Sequence, residues 1–199
     1  MYCNKKYNYI IKVFIILLIF VFSDKAISQK IRLNITPGYI LPINEVDKRY
    51  YSSGFFADAK AVYEVSNITD LYLFLTYQRF FLTDASYYES YNVYCLFYGI
   101  ATKVFILNTK VRPYIGLELG AGYQYSNYKS KYSSYSEKDG LGIIICPNIG
   151  FTYPINDKFF IEPNIKIFHG LGSMAVSNDL IEDLMFGIGI TYQINNNFK

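Results

Sequence analysis

Three residues near the end of the chain could make a hydrolytic set. His169, Ser173 and Asp179 supply a base, a hydroxyl nucleophile and an orienting carboxylate. Such a set would cleave an ester or peptide bond at one rim of the fold that carries it. Its spacing is no motif, because a triad is defined by geometry and not by sequence distance. The plainer reading of His169 is a polar residue at an interface. It is the only histidine, so a zinc site made of several imidazoles is excluded. Glu118 and Glu162 could serve as paired acid and base. They belong, however, to a wider set of both signs: Arg32, Asp58, Lys60, Glu64, Arg112, Lys166 and Asp183. Charges of mixed sign on one buried face are expected to pair, which makes the two glutamates structural. No phosphate-binding loop, paired-cysteine metal site or other cofactor signature is present, and no cofactor is expected. Cys95 and Cys146 read as two small buried apolar residues and not as a disulfide framework.

The elements that carry these residues are strands. From Gln29 onward eight segments alternate between two faces, the period-two signature of β-structure. In 112–125, Ile115, Leu117 and Leu119 oppose Tyr114, Gly116 and Glu118. In 141–153, Ile143, Ile145 and Ile149 oppose Ile144, Cys146 and Asn148. The segments 159–168 and 183–195 repeat the pattern, and 30–39 and 54–65 show it with more noise. Segments 71–80 and 91–105 are apolar on both faces, so their register stays open. The clear runs reach the roughly 9–11 residues a tilted strand needs to cross a bilayer.

Composition agrees. Hydrophobic residues make up 52% and charged residues 18% of the chain, yet outside the first residues no segment reads as a membrane helix. A barrel resolves this by spreading its apolar surface over every strand. The net charge of +3 is carried entirely by residues 1–28, through Lys5, Lys6, Lys12 and Lys25 against Asp24. The remainder is neutral, which argues against nucleic acid as a partner. Residues 1–28 have a basic start, an apolar run over 13–22 and the small-residue end Ala26-Ile27-Ser28. They read as a signal peptide cut before Gln29, leaving 29–199 as the barrel domain.

Connections alternate in length. Turns at 66–70, 108–110 and 154–157 are short, and links at 44–53, 81–89, 126–139 and 171–179 are longer and polar. Outer-membrane barrels place short turns in the periplasm and longer loops outside. An even strand count then puts both termini in the periplasm. On that topology Phe151, Tyr153, Phe159 and Tyr192 form a lower aromatic girdle, and Tyr123 and Tyr125 join an upper one. The expected fold is an all-β, eight-stranded antiparallel transmembrane barrel. Its narrow lumen is packed with side chains, and Gly116, Gly120, Gly142, Gly187 and Gly189 make room for the long charged ones.

Three runs carry a family resemblance: Gly54-Phe55-Phe56-Ala57-Asp58-Ala59, the stretch from Val111 to Tyr123, and Phe186-Gly187-Ile188-Gly189-Ile190-Thr191-Tyr192. With them, the chain resembles the outer-membrane β-barrel domain family of Bacteroidetes type. That group includes PorT-like proteins and, more broadly, the OmpA/OmpX-like eight-stranded barrels. The resemblance implies a bacterial outer-membrane protein in contact with membrane lipid and inserted by the barrel-assembly machinery. It departs from the pattern at the end, where barrels of this type often finish on an aromatic residue and here Asn195 to Lys199 follow the last strand. Its motifs identify an architecture and not an activity. The leading expectation is a non-enzymatic structural or interaction protein with surface loops and an envelope or surface protein as partner. An accessory role in secretion or envelope assembly, a barrel enzyme acting on lipid or peptide, and a soluble lipocalin-like barrel are the alternatives. The last would turn its apolar face inward.

Overall fold

Alternation of polar and apolar side chains favours strands that separate two environments, and eight of them pair in chain order. A computed structural model describes residues 30–44, 48, 51–82, 90–129, 134–172 and 181–194. The proposed signal segment, Ser173, Asp179 and the final five residues lie outside these. The strands are β1 (Ile31–Pro42), β2 (Tyr51–Ser66), β3 (Thr69–Leu82), β4 (Ser90–Phe105), β5 (Arg112–Lys129), β6 (Ser134–Pro154), β7 (Phe159–Gly172) and β8 (Ile181–Ile194). Each pairs antiparallel with its neighbour, and β1 closes on β8 to complete a barrel.

The alternation separates inside from outside throughout. Arg32, Asp58, Glu118, Glu162, Lys166 and Asp183 are buried inward, whereas Ile35, Ile143 and Ile188 stand 64%, 60% and 61% exposed outside. The register left open by the sequence is settled: even-numbered residues of β3 and odd-numbered residues of β4 point inward.

The strands run a few residues past several expected bounds, and two of these differences bear on the site and the rim. β2 runs to Ser66 and β3 starts at Thr69, so the turn is Asn67-Ile68 alone and Asp70 belongs to a strand. The expected loop 126–139 is mostly hairpin, with pairing from Ser126↔Glu137 to Lys129↔Ser134. A register shift at Tyr123/Gln124 leaves Gly140 as the extra residue of a bulge, a position suited to glycine. The rim with the turns at 67–68, 106–111 and 155–158 is called the turn rim below, and the opposite one the loop rim.

Candidate functional site

The inward faces converge on a charge network in the half of the lumen nearer the turn rim. Its first layer joins β2, β5 and β7. Lys166 Nζ lies 2.5 Å from Asp58 Oδ2 and 2.8 Å from Glu118 Oε1. Lys60 Nζ sits 3.5 Å from Asp58 Oδ2 and 3.4 Å from Glu118 Oε1. Two ammonium groups thus face two carboxylates. The remaining acceptor sites are used from β3: Tyr72 donates to Glu118 at 3.1 Å and Thr76 to Asp58 at 2.8 Å. Lys60 also lies over the Tyr72 ring, 5.3 Å from its centroid.

The second layer lies nearer the turn rim. Arg32 of β1 meets Asp70 of β3 at 2.6 Å, and Lys103 of β4 meets Glu162 of β7 at 2.8 Å. Lys103 is also 3.6 Å from Asp70, which links the two pairs. Tyr114 and Thr191 donate to Glu162 at 3.2 and 3.4 Å. Asn34 donates to Thr191, and Thr36 to Asn34, both at 2.7 Å. Across the two layers every strand but β6 contributes a side chain.

Burying charge is costly, and well-made pairs about offset that cost without much surplus. The network's larger effect is on register. A slip of one residue would turn each charge to the outside of its strand, where the neighbours are leucine and isoleucine. The alternatives are therefore penalised more than the native pairing is favoured.

Toward the loop rim the lumen turns apolar. Phe56, Phe80, Val93, Phe97, Ile144, Phe168 and Met185 form a buried cluster above the charges. Phe97 and Phe168 meet with ring centroids 4.9 Å apart. The charged groups thus gather nearer the turn rim and large apolar side chains dominate above them, with Gln78, Gln124 and Asp183 buried among the latter.

The structure brings together Arg32, Asp58, Lys60, Glu118, Glu162 and Lys166. The other three sit nearer the two ends of the lumen, and of these Glu64 still pairs with Arg32. Glu64 is at the mouth, with its side chain 21% exposed and 3.8 Å from Arg32. Arg112 is half-buried there, donates to the Asn67 carbonyl and lies over the Phe105 ring. Asp183 is buried beyond Met185 toward the loop rim, in register with Phe168 and Pro42. Asp70 and Lys103 were missed. The first has the type and place of a turn residue and the second lies on a strand whose register the sequence leaves open, although both have the parity of their inward neighbours. The glycines also serve a different purpose. The side chains over Gly187 and Gly189 are Thr36, Phe56 and Asn34, and a Cβ on Gly187 would meet Thr36 Cγ2 at 2.6 Å. Close packing of small polar and aromatic groups, not of the charged ones, requires these glycines.

Because mouth charges remain solvated, Arg112→Ala and Glu64→Gln are each expected to cost less than about 1 kcal/mol. Urea unfolding of the refolded barrel measures this, and a larger loss would show that these mouth charges are desolvated like those deeper in the lumen.

Outside, Tyr123, Tyr125, Phe151, Tyr153, Phe159 and Tyr192 are all exposed. Phe159 and Tyr192 pair at 5.1 Å near the turn rim, where Lys110 lies over Tyr153. His169 also faces outward, near the loop rim, with Nδ1 3.2 Å from Glu182 Oε1. Cys95 and Cys146 are buried inside the lumen wall and are not joined in a disulfide. Among the described residues no group of three or more His, Cys, Asp or Glu is placed to hold a metal.

A closed, eight-stranded antiparallel barrel with charges inside and an apolar exterior is the fold of the small bacterial outer-membrane β-barrels. Neisserial surface protein A has this fold at a TM-score of 0.53 and 13% identity, over 84% of this chain and 97% of that one. Ail, the attachment invasion locus protein of Yersinia pestis, matches at 0.54 and 14%, over 83% and 97%. OprG from Pseudomonas aeruginosa matches at 0.55 and 11%, over 84% and 97%. At such identities the likeness is one of fold alone. No protein-family model and no curated protein matches the sequence.

Proposed function

We propose that this chain is a non-enzymatic outer-membrane protein that engages a partner at the cell surface, with both termini in the periplasm. The exterior supports the membrane placement. Leu73, Ile115 and Ile149 are each more than half exposed, while Lys166 and Glu118 are buried. This inverts the polarity of a lipocalin-like soluble barrel and costs little only where lipid covers the outside.

The observation that carries the interaction role is the reach of β6. Its pairing with β5 continues to Lys129↔Ser134, whereas its pairing with β7 ends at Gly142↔Gly172. Among the described residues, the 134–141 edge runs on past the last β7 partner, Gly172, at the loop rim. Such an edge can take up an extended segment of another protein through main-chain hydrogen bonds.

Two measurements test this. The folded protein should migrate in a heat-modifiable way on a detergent gel and be recovered with outer membranes; a buffer-soluble monomer would overturn the placement. Excising residues 127–136 should leave that migration intact and abolish surface crosslinks to a partner protein. An unchanged crosslinking pattern would overturn the interaction role. The non-enzymatic reading expects His169→Ala to leave the envelope lipid profile unaltered. A secretion role, implied by the PorT-like resemblance, would instead show as loss of export of other proteins on deletion.

A further inference from the structure

We propose that the barrel wall opens sideways between β6 and β7, within the membrane, and presents the apolar part of the lumen to acyl chains. The inference rests on the membrane placement argued above. It starts from Pro37, Pro147 and Pro163, which stand on the outward faces of β1, β6 and β7, each beside isoleucine. Facing residues of an antiparallel hydrogen-bonded pair exchange two N–H···O bonds. Proline has no N–H, so within a sheet it belongs at edges and bulges. This closed barrel offers it no edge.

Register shows where the missing donors point. Pairing of β5 with β6 continues through Leu117↔Pro147, and pairing of β7 with β8 through Pro163↔Ile188. The β6–β7 ladder instead stops twice. It breaks between Ile145↔His169 and Asn148↔Lys166, and again between Gly150↔Asn164 and Tyr153↔Ile161. Cys146 with Phe168 and Pro147 with Ile167 drop out at the first gap, Phe151 with Pro163 and Thr152 with Glu162 at the second. Each gap is the proline's own pair and one beside it, the pattern that one absent N–H leaves. Pro37 opens one such gap between β1 and β8, from Ile35↔Ile190 to Gly38↔Gly187. The β3–β4 and β4–β5 ladders run without a break. Hydrocarbon holds no water to serve a carbonyl that has lost its donor, so the wall is weakest where solvent cannot compensate.

The β7–β8 hairpin is itself paired continuously from Phe159↔Tyr192 to Gly170↔Ile181. It is one firm unit between two interrupted seams, and the seam broken twice is the one that parts. What lies behind each gap decides where. The gap nearer the turn rim is backed by Glu162 and Lys103, paired at 2.8 Å. The gap nearer the loop rim is backed by Ile144, Cys146, Phe168 and Met185 of the apolar cluster. An acyl chain entering there exchanges one apolar surface for another, whereas at the lower gap it would meet charge.

The test uses full-length mature protein in phosphatidylcholine vesicles. Cys146 lies at the upper gap, and Cys95 faces the lumen from β4 between unbroken ladders, so the chain carries its own probe and control. A maleimide on a long alkyl chain, dissolved in the bilayer, should label Cys146 about tenfold faster than Cys95, the effect of one or two lost backbone hydrogen bonds. Peptide mass spectrometry reads the ratio. A sulfonated maleimide confined to water should not reproduce it. Hydrogen exchange reads the same opening without thiols, and amides of residues 143–151 should exchange about tenfold faster than those of 96–104. Pro147→Val restores the donor on a face where valine is at home and should bring both ratios to within about twofold. Pro37→Val mends the other seam and should leave them unchanged. Equal labelling and exchange in wild type, or undiminished ratios in Pro147→Val, would overturn the opening. Preferential labelling of Cys146 by the sulfonated reagent would overturn its lipid side, and a loss of ratio in Pro37→Val its assignment to β6 and β7. Absence of heat-modifiable migration would instead sink the membrane placement, so the two failures are distinguishable.

Discussion

Lys166→Met should destabilise the folded barrel by about 3–5 kcal/mol, the cost of breaking a buried ion pair from one side. The substitution keeps an unbranched side chain, one heavy atom shorter, and removes its charge. Asp58 and Glu118 then face each other with Lys60 as their remaining cation, at 3.5 and 3.4 Å. Both carboxylates lose their shortest contacts, 2.5 and 2.8 Å. Water cannot replace the ammonium group, because Lys166 is 1% exposed. The cost is therefore one of an uncompensated charge and not of lost packing, and this can be separated. Adding Glu118→Gln to Lys166→Met removes one of the stranded charges and should recover part of the loss. A coupling of about 1 kcal/mol or more between the two sites is expected for residues in direct contact. Urea unfolding, read by the heat-modifiable shift, gives all three values. A Lys166→Met variant within about 1 kcal/mol of wild type would show that the layer adds little.

The sequence made the barrel legible wherever its two faces differ in polarity. On β1, β2 and β5 to β8, residues such as Arg32, Asp58, Glu118 and Lys166 oppose isoleucine, leucine and, on β2, alanine, and parity alone assigns inside and outside. The signal failed on β3 and β4 for a physical reason. Their inward residues nearer the loop rim, Phe80, Val93, Cys95 and Phe97, build the apolar cluster. Hydrophobicity therefore does not tell the lipid side from the lumen side there. Lys103 was lost in this ambiguity. Asp70 was lost because aspartate is a turn residue by type, although the turn beside it needs only Asn67 and Ile68. The hairpin of β5 and β6 failed in the opposite way. There Ser, Lys and Tyr follow one another in the sequence without alternation while the strands continue. Hydrophobic period reports the solvent on each side of a strand, and it falls silent where the two sides match.

The same division into layers sets the expectation for conduction. Phe97→Ala should cost about 3–5 kcal/mol, as for other buried phenylalanines. Phe97→Ala combined with Phe168→Ala should cost less than the sum, because the two rings touch at 4.9 Å and each single change already breaks their contact. Current is a separate matter. The apolar cluster and the charge network lie in series along one narrow lumen, so an ion must pass both. Removing the rings opens the half toward the loop rim and leaves Lys60, Lys103, Lys166 and their carboxylates spanning the other. The double variant should therefore remain as silent in planar bilayers as the wild type, even though its stability falls. Channel steps from the double variant would show that the charge layer leaks. They would move the seal of this barrel from the ion pairs to the aromatic rings.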